Sequence, residues 1–379
     1  MENRHPPSRI LPPTIAMGGG TFETAVDGSA ALRRHPDWIK ARIPSGETYH
    51  EVRRLLNGLS LHTVCAEAQC PNVGECWDQR TATVMILGDT CTRACGFCAV
   101  KTDRPTVYDL DEPRRVAEAI RGLGLDHVVI TSVARDDLAD GGASVFADTI
   151  RRLRDACPGM GVEVLIPDFN GEEAPLRTVM AAGPDILNHN VETVARLQKP
   201  VRKRARYDRS LGVLERAKAY AREFGGAAGA AAVHTKSSIM VGLGETRPEL
   251  RQTFVDLRAV DCDILTLGQY LRPSVQHLPV ERYYHPDEFA EMREEALALG
   301  FRHVESGPLV RSSYHARDQV PGAEARRVER AARAELAAWD DVAARDDVAA
   351  RVERAARAEP AARRSPTIDA EGRVIYRPD

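Results

Sequence analysis

The chain has 379 residues, 43% of them hydrophobic, which is enough for the core of one large barrel-type domain or of two ordinary domains. Its formal charge of −3 argues against nucleic acid or an anionic membrane surface as the main partner. No apolar run reaches the roughly eighteen residues of a membrane span, and the Pro- and Gly-rich N-terminus lacks the apolar core of a signal peptide, so we expect a cytoplasmic protein.

The N-terminal part of the chain shows little regular patterning. We expect residues 1–35 to form a disordered tail. Residues 36–81 form an N-terminal extension, in which a short helix through Glu51, Leu55 and Leu56 precedes three closely spaced cysteines.

From residue 82 onward, short apolar runs alternate with amphipathic stretches. The apolar runs, predicted as strands, are 82–88, 127–133, 162–167, 185–190, 235–242 and 263–270. The amphipathic stretches, predicted as helices, are 113–123, 144–157, 174–182, 208–224, 247–260 and 286–299. Six βα units in series imply a parallel sheet with right-handed crossovers. For residues 82–320 the sequence therefore predicts an α/β fold, either a full or partial (β/α) barrel or, as the alternative that periodicity does not exclude, a doubly wound open sheet.

Polar residues are concentrated just past the ends of these predicted strands, in segments 89–98, 134–142, 168–169, 188–192, 244–246 and 269–273. Barrel enzymes place their active sites at the carboxyl ends of the strands. The pattern therefore favours the barrel and predicts that the site lies at that end.

The last part of the chain, residues 321–379, has a different character. The sequence at 327–335 recurs at 351–359, in a stretch rich in Ala, Arg and Glu. This low-complexity extension is helix-prone, and a solvated helix or a disordered tail is favoured over a partner-docking role.

Eight cysteines carry the strongest functional signal, because six of them lie between residues 65 and 98. A chain of this length without a signal peptide does not need disulfides, so a reduced, metal-binding role is favoured. The other two, Cys157 and Cys262, are expected to be inert thiols at a helix end and a strand start.

Cys91, Cys95 and Cys98 form a C-x₃-C-x₂-C motif directly after the first predicted barrel strand. Three thiolates on one tight loop can hold three irons of a [4Fe–4S] cube and leave the fourth iron open to a chelating cofactor such as S-adenosylmethionine (SAM). One-electron reduction of SAM releases methionine and a 5′-deoxyadenosyl radical, which attacks C–H bonds that no side chain can activate. A zinc site is the alternative, but zinc usually takes four ligands and no fourth fits here.

Cys65, Cys70 and Cys76 form a second motif, C-x₄-C-x₅-C, that is suited to a second cube. Together with Leu61–Cys65, the segments 86–95, 135–143, 188–193, 240–246, 265–271 and 306–314 closely resemble lipoyl synthase, a radical SAM family, over about residues 36–320. The segment 199–207 departs from the family pattern, which leaves the arginine contacts there open.

The resemblance implies a radical SAM barrel and an enzyme that inserts two sulfur atoms at carbons 6 and 8 of a protein-bound octanoyl group, giving lipoyl-lysine. It implies that Cys91, Cys95 and Cys98 hold the SAM-cleaving cluster, and that an auxiliary [4Fe–4S] cluster on Cys65, Cys70 and Cys76 supplies the sulfur. The implied partners are octanoylated carriers, namely the glycine cleavage H protein and the lipoyl domains of 2-oxoacid dehydrogenases, together with a low-potential electron donor and iron–sulfur assembly proteins.

Further site residues are predicted from their positions. Asp136, Asp137, Asp140 and Gly141 follow the second strand, where radical SAM proteins hold the cofactor's amino group, and Asn188 and Glu192 follow the fourth. Helix capping is the alternative role for Asp137 and Glu192. Arg311 is expected to pair with a carboxylate in the site.

In the lipoyl synthase family a serine of the Arg-Ser-Ser-Tyr motif is the fourth ligand of the auxiliary cluster. We predict Ser313, with Ser312 as the second choice, because neighbouring side chains of an extended segment point to opposite sides. Hydrogen bonding of both hydroxyls within a turn is the alternative.

Two other functions share part of this pattern. A biotin-synthase-like or methylthiotransferase-like enzyme would have the 91–98 motif but not the upstream triplet or Ser312 and Ser313. A non-catalytic zinc or iron–sulfur scaffold would have cysteines without SAM chemistry.

Overall fold

The computed structural model describes residues 35–41, 44, 46–59, 61–68, 70–78, 83–105, 108–125, 127–225, 233–319, 367–368 and 374–375. The predicted tail at 1–35 and extension at 321–379 lie outside the described residues, except for His35 and an antiparallel pair of short strands, Thr367–Ile368 and Val374–Ile375. The chain divides into two compact units, Met1–Ala323 and Glu324–Asp379. The site is built entirely within the first unit.

The N-terminal extension folds as short helices around one edge strand. Its elements are α1 (Glu47–Gly58), β1 (His62–Thr63), α2 (Val64–Glu67) and α3 (Val73–Asp78). Helix α1 buries Tyr49, Val52 and Leu56, which are spaced to share one face. Tyr49 stacks on Trp77 of α3 with ring centroids 5.2 Å apart, so the helix predicted through Glu51 and Leu55 is confirmed and is anchored to the cysteine region.

The barrel strands follow the predicted rhythm closely. They are β2 (Thr83–Ile86), β5 (His127–Ser132), β6 (Gly161–Leu165), β7 (Ile186–Asn188), β8 (His234–Val241), β9 (Ile264–Gln269) and β10 (His303–Gly307), while β3 (Thr90–Cys91) and β4 (Lys101–Thr102) pair separately beside the cysteine loop. The helices are α4 (Glu112–Leu123), α5 (Ala143–Ala156), α6 (Glu173–Ala181), α7 (Gln198–Val201), α8 (Tyr207–Gly225), α9 (Arg247–Ala259) and α10 (Pro286–Ala298).

The order of strands in the main sheet identifies the barrel. The order is β1-β2-β5-β6-β7-β8-β9-β10, with β1 antiparallel to β2 and every other neighbouring pair parallel. A doubly wound sheet reverses its strand order at a switch point, whereas β2 to β10 follow the chain without reversal. Within the described residues β10 pairs only with β9, so the prediction of a barrel is confirmed in its partial form.

The two faces of the sheet have opposite chemistry. The outer face packs under the helices through residues such as Val162 and Val164, which belong to one large apolar cluster with α4, α5 and α6. Side chains alternate along a strand, and Glu163 between them points to the inner face. There it pairs with Lys236 of β8 at 2.9 Å, with both side chains fully buried. The interior of the barrel therefore carries a charged pair.

No helix in the described residues is long and apolar enough to cross a membrane.

Candidate active site

The loop of the Cys91–Cys98 motif begins where β2 ends. The backbone N–H and the hydroxyl of Thr92 both donate to the Ala134 carbonyl at 2.9 Å, which fixes the loop against the end of β5. Cys91 Sγ accepts the backbone N–H groups of Arg93 and Ala134, each at 3.4 Å. Backbone N–H groups that point at a cysteine sulfur are also the hydrogen bonds that surround iron–sulfur clusters, so this arrangement fits such a cluster.

Two distant segments hold the middle of this loop. The Gly96 N–H donates to the Val201 carbonyl at 2.9 Å, and the Leu278 N–H donates to the Gly96 carbonyl at 2.9 Å. A Cβ at position 96 would lie 2.9 Å from Leu278 Cγ, so the close approach requires glycine. Phe97 packs against the apolar cluster around β8 and β9, which gives the loop an apolar wall.

Arg93 links the ends of three strands. It forms a two-point contact with Asp136 at 2.6 and 2.8 Å, binds Asp168 at 2.7 Å and donates to Asn170 at 3.0 Å. Burial disfavours ionisation of Asp136, but the hydrogen bonds and charge of Arg93 outweigh it and hold the pKa of Asp136 below its ordinary value. Asp136 therefore lies at the predicted mouth as a carboxylate that already has an arginine partner.

The neighbouring acidic residues have separate partners. Asp137 is bound by Arg135 at 2.8 and 2.9 Å, and this hydrogen bonding lowers the pKa of Asp137. Asp140, and not Asp137, caps α5, since its carboxylate accepts the N–H groups of Gly142 and Ser144 at 2.9 and 2.8 Å. The cofactor contacts of Asp137 and Asp140 stay predictions.

A cavity lies between the β5–α5 and β6–α6 connections. Three of the four predicted residues of this region line it together with Arg93: Asp136, Asp140 and Gly141. Gly141 has a φ of 60° there, and a Cβ would lie 2.8 Å from the ring of Phe169. A side chain at position 141 would therefore be strained and would collide with the cavity wall.

Asn188 points into the barrel. It is fully buried at the end of β7, and its side-chain amide donates to Glu163 at 3.0 Å. Its amide oxygen is buried without a hydrogen-bond partner. The side chain thus lies among the polar groups inside the barrel. Its role in cofactor binding stays a prediction, for which the amide oxygen is the available group.

Glu192 lies nearer the cysteine loop. Its backbone has a φ of 65°, and its carboxylate accepts the Asn190 side-chain amide at 3.0 Å, so it does not cap a helix. Burial raises the pKa of Glu192 despite the charge of Arg202. Burial also raises the pKa of the Cys95 thiol, and Arg202 opposes that rise most strongly. Glu192, Arg202 and Cys95 therefore share one electrostatic environment.

Arg202 and Arg93 are site residues that the sequence did not identify. Arg202 is 9% exposed and donates to the Asn190 carbonyl at 3.0 Å, which answers the question left open by segment 199–207. The partners of Arg93 lie far along the chain, at Asp136 and Asn170, and the only local signal for Arg93 was its position inside the cysteine motif.

The first cysteine triplet is placed by α2 and α3. Thr63 caps α2 through the Ala66 N–H. The Cys70 N–H then donates to the Cys65 carbonyl at 3.0 Å, and Cys76 lies in α3. Burial raises the pKa of Cys65 to about 12, so these thiols are neutral until a metal replaces their protons.

The segment after β10 packs against this triplet. The Asn72 side-chain amide donates to the Leu309 carbonyl at 2.7 Å, and the Thr83 hydroxyl donates to Ser313 Oγ at 2.9 Å. Burial raises the pKa of the Cys65 thiol, and a hydrogen bond with the backbone of the same Thr83 partly opposes that rise. Ser313 and Cys65 are thus both neighbours of Thr83.

Arg311 lies beside the same triplet. Its guanidinium donates to the Val310 carbonyl at 2.7 Å, and its charge acts on Cys70, whose pKa burial raises. Within the described residues no carboxylate pairs with it, so the expected ion pair is not found, and the charged neighbour of Arg311 is the Cys70 thiol.

The remaining cysteines lie elsewhere. Cys157 ends α5, and Cys262 is buried just before β9, where burial raises its pKa to about 12. In the part of the chain that the structure describes, no three His, Cys, Asp or Glu side chains converge on one metal ion. Thiolates of a cube bind separate irons and need not converge in that way.

Comparison with known proteins identifies relatives over most of the chain. The radical SAM superfamily profile matches residues 85–257, and the profile of the N-terminal domain of lipoyl synthase matches residues 23–70. The chain is 59% identical to a lipoyl synthase of Symbiobacterium thermophilum over 298 residues, covering 79% of this chain and 90% of the relative. It is 58% identical to that of Rubrobacter xylanophilus over 288 residues (76% and 87%) and 57% identical to that of Bacillus cytotoxicus over 298 residues (78% and 97%).

Proposed function

This chain belongs to the lipoyl synthase family of the radical SAM superfamily. On that premise we propose which of its residues hold the two clusters. The enzyme uses SAM and two [4Fe–4S] clusters. We assign the SAM-cleaving cluster to Cys91, Cys95 and Cys98. We assign the auxiliary cluster to Cys65, Cys70 and Cys76, with Ser313 as its fourth protein ligand. The observation that carries the assignment is the 2.9 Å contact of Ser313 with Thr83, which also hydrogen-bonds Cys65.

When bound, the clusters and SAM supply the radical that removes hydrogens from carbons 6 and 8 of the octanoyl chain and the sulfide that replaces them. The protein's own groups prepare that chemistry. The N–H groups of Arg93 and Ala134 hydrogen-bond Cys91 Sγ, and the charge of Arg202 opposes the rise that burial causes in the pKa of Cys95. Phe97 excludes water from one side of the loop, which protects a reactive radical from side reactions.

The substrate is an octanoylated carrier domain. We assign the glycine cleavage H protein and the lipoyl domains of 2-oxoacid dehydrogenases as carriers, a low-potential protein as electron donor, and iron–sulfur assembly proteins as the source of the clusters. The support is membership of the family. Six cysteines that must stay reduced favour a cytoplasmic location.

Two substitutions test the assignment of the triplets. Cys95→Ala should abolish formation of 5′-deoxyadenosine, because a cube held by two thiolates is not retained in working form. Cys70→Ala should abolish lipoyl product while 5′-deoxyadenosine is still formed, because the two triplets lie on separate elements. Cys157→Ala is the matched control and should leave both products and the iron content unchanged.

Lipoyl product from Cys70→Ala, or undiminished 5′-deoxyadenosine from Cys95→Ala, would refute the assignment. Iron and sulfide are quantified for each variant, so that loss of a cluster is separated from loss of the fold.

A further inference from the structure

The connection between β7 and α8 carries a concentration of positive charge. Residues 196–209 contain seven Arg or Lys side chains and one carboxylate, in a chain whose net charge is −3. Lysine is rare in this protein, with six in the whole chain, and two of them, Lys199 and Lys203, lie in this segment.

Only part of this charge is neutralised by neighbours. Pairing with a carboxylate or burial accounts for four of the seven cations: Arg196 with Glu249, Arg206 with Asp208, Arg209 with Asp168, and buried Arg202. Lys199 and Lys203 are exposed and have no ion pair within the described residues. Arg204 is 64% exposed and lies 3.5 Å from Asp136, a carboxylate already bound twice by Arg93. Three positive charges are therefore available to a partner.

These charges adjoin the loop of the SAM-cleaving triplet. Between Lys199 and Lys203, the Val201 carbonyl accepts the Gly96 N–H at 2.9 Å. The other side of Gly96 is covered by Leu278, which follows the exposed apolar side chain of Val275, 58% accessible. Exposed cations on one side of the cysteine loop and an exposed apolar residue on the other have the composition of a small, electrostatically guided interface.

We propose that Lys199, Lys203 and Arg204 dock an acidic, low-potential electron-transfer protein beside the SAM-cleaving triplet. The proposal rests on the assignment of Cys91, Cys95 and Cys98 given above. Each SAM that is cleaved takes up one electron as its C5′–S bond breaks to give methionine and the 5′-deoxyadenosyl radical, and the docked protein is oxidised by one electron.

An electron donor fits this place better than the carrier domain does. Electron transfer weakens steeply with distance, so a donor must contact protein next to the reduced centre, and weak redox complexes need only a small interface. A carrier presents its octanoyl group on a long lysine arm, which lets its body dock away from the cysteine loop. Attraction between the three cations and an acidic donor mainly raises the rate at which the donor associates. Added salt screens this attraction and lowers that rate.

The test uses cluster-loaded protein under anaerobic conditions, with a reduced acidic flavodoxin as the probe and dithionite as the small-molecule comparison. Lys199→Glu combined with Lys203→Glu should raise the flavodoxin concentration for half-maximal 5′-deoxyadenosine formation by at least about tenfold. Flavin fluorescence should show the same weakening in binding of oxidised flavodoxin. With dithionite the variant should match the wild type, both in 5′-deoxyadenosine and in lipoyl product from an octanoylated peptide.

Arg121→Glu combined with Arg151→Glu is the matched control, because it makes the same change in charge at exposed sites on α4 and α5. It should leave both reductants unaffected. In the wild type, added salt should slow the flavodoxin-driven reaction and spare the dithionite-driven one, which tests the proposal without any substitution.

Equal flavodoxin dependence in variant and wild type would overturn the proposal. So would a raised KM for the carrier protein with dithionite as reductant, since the surface would then belong to the carrier. Undiminished 5′-deoxyadenosine from Cys95→Ala with dithionite would instead refute the assignment of the triplet on which the proposal rests, so the two failures are distinguishable.

Discussion

The Ser313 hydroxyl illustrates how much of this site depends on single contacts. It accepts a hydrogen bond from Thr83 at 2.9 Å, and Thr83 also lies against Cys65. An oxygen ligand is harder than thiolate and binds the iron of a sulfide cluster less strongly, so in the role that we propose Ser313 would be the ligand most easily displaced.

Replacing Ser313 should therefore affect the two products differently. We expect Ser313→Ala to retain most 5′-deoxyadenosine formation and to lower lipoyl product by at least about tenfold, as loss of a group that orients a metal site does. Ser312→Ala is the control, because its neighbour Ser313 holds the contact with Thr83. Normal lipoyl yield from Ser313→Ala, together with an inactive Ser312→Ala, would assign the ligand to Ser312.

His189 provides a second test at the scale of one residue. Its ring nitrogens lie 2.9 Å from the Ile166 carbonyl and 3.0 Å from Ser210 Oγ, and burial, reinforced by Arg202, lowers its pKa to about 4. The folded protein thus holds a neutral ring whose ordinary pKa is 6.5. Below pH 6.5 the unfolded chain binds a proton at this ring and the folded protein does not. The free energy of unfolding should therefore fall by about 3 kcal/mol as the pH drops from 6.5 toward 4.

The measurement is urea unfolding of cluster-free protein between pH 7 and pH 4. His189→Gln does not titrate, so its free energy of unfolding should fall less over this range than that of the wild type. Parallel pH profiles for the two proteins would show that His189 does not titrate on unfolding.

At the scale of elements, the hydrophobic period predicted most of the barrel. The predicted strand at 127–133 is β5 (127–132), and the predicted helix at 286–299 is α10 (286–298). Strand β10 (303–307) lies outside the series of six predicted βα strands, but the run 304–310 before Arg311 is strand-like in sequence and overlaps it. The two residues of β1 are too few to show any period.

The site could be predicted where its residues lie close together in the sequence. The cysteine triplets are short motifs and were visible as such. The contact of Arg93 with Asp136 joins residues 43 apart, and that of Arg209 with Asp168 joins residues 41 apart. Such pairs leave no pattern in one sequence, because a charged residue on a loop has the same local signature whether it is solvated or paired.

Strand β9 also determines where the Ser313 segment lies. A Cβ at Gly268 would be 2.1 Å from the Val310 carbonyl and 3.4 Å from the Arg311 guanidinium. The backbone there is ordinary strand, so the requirement for glycine is one of space. The segment carrying Ser313 reaches the auxiliary triplet only because Gly268 of β9 has no side chain.

Gly268→Ala should push this segment outward. We expect the free energy of unfolding to fall by about 1–3 kcal/mol, as overpacking does, and the auxiliary triplet to retain less iron than the Cys91–Cys98 triplet. Gly58→Ala is the matched control, since a Cβ there meets nothing within 4 Å. Equal iron content in the two variants would contradict this placement of the segment.

At the scale of the whole molecule, every residue assigned to chemistry lies in the unit Met1–Ala323. The rest of the chain, including the repeats at 327–335 and 351–359, contains no cysteine and no histidine. A chain that ends at Ala323 should therefore bind the same amount of iron and convert octanoylated carrier at the wild-type rate, because it keeps every residue assigned to the clusters and to SAM. A truncated protein that is folded and fully loaded with iron but inactive would show that the extension takes part in turnover.

The auxiliary triplet and the serine that we propose completes it are far apart in the chain, since 230 residues separate Thr83 from Ser313. During translation at about 5–20 residues per second, the three cysteines leave the ribosome tens of seconds before that serine exists. The Cys91–Cys98 triplet, by contrast, is complete within a single loop. It follows that the auxiliary site, unlike the Cys91–Cys98 loop, is completed only late in synthesis, once almost the whole barrel has been made. Chains that stall before this point would carry the three thiols without Ser313.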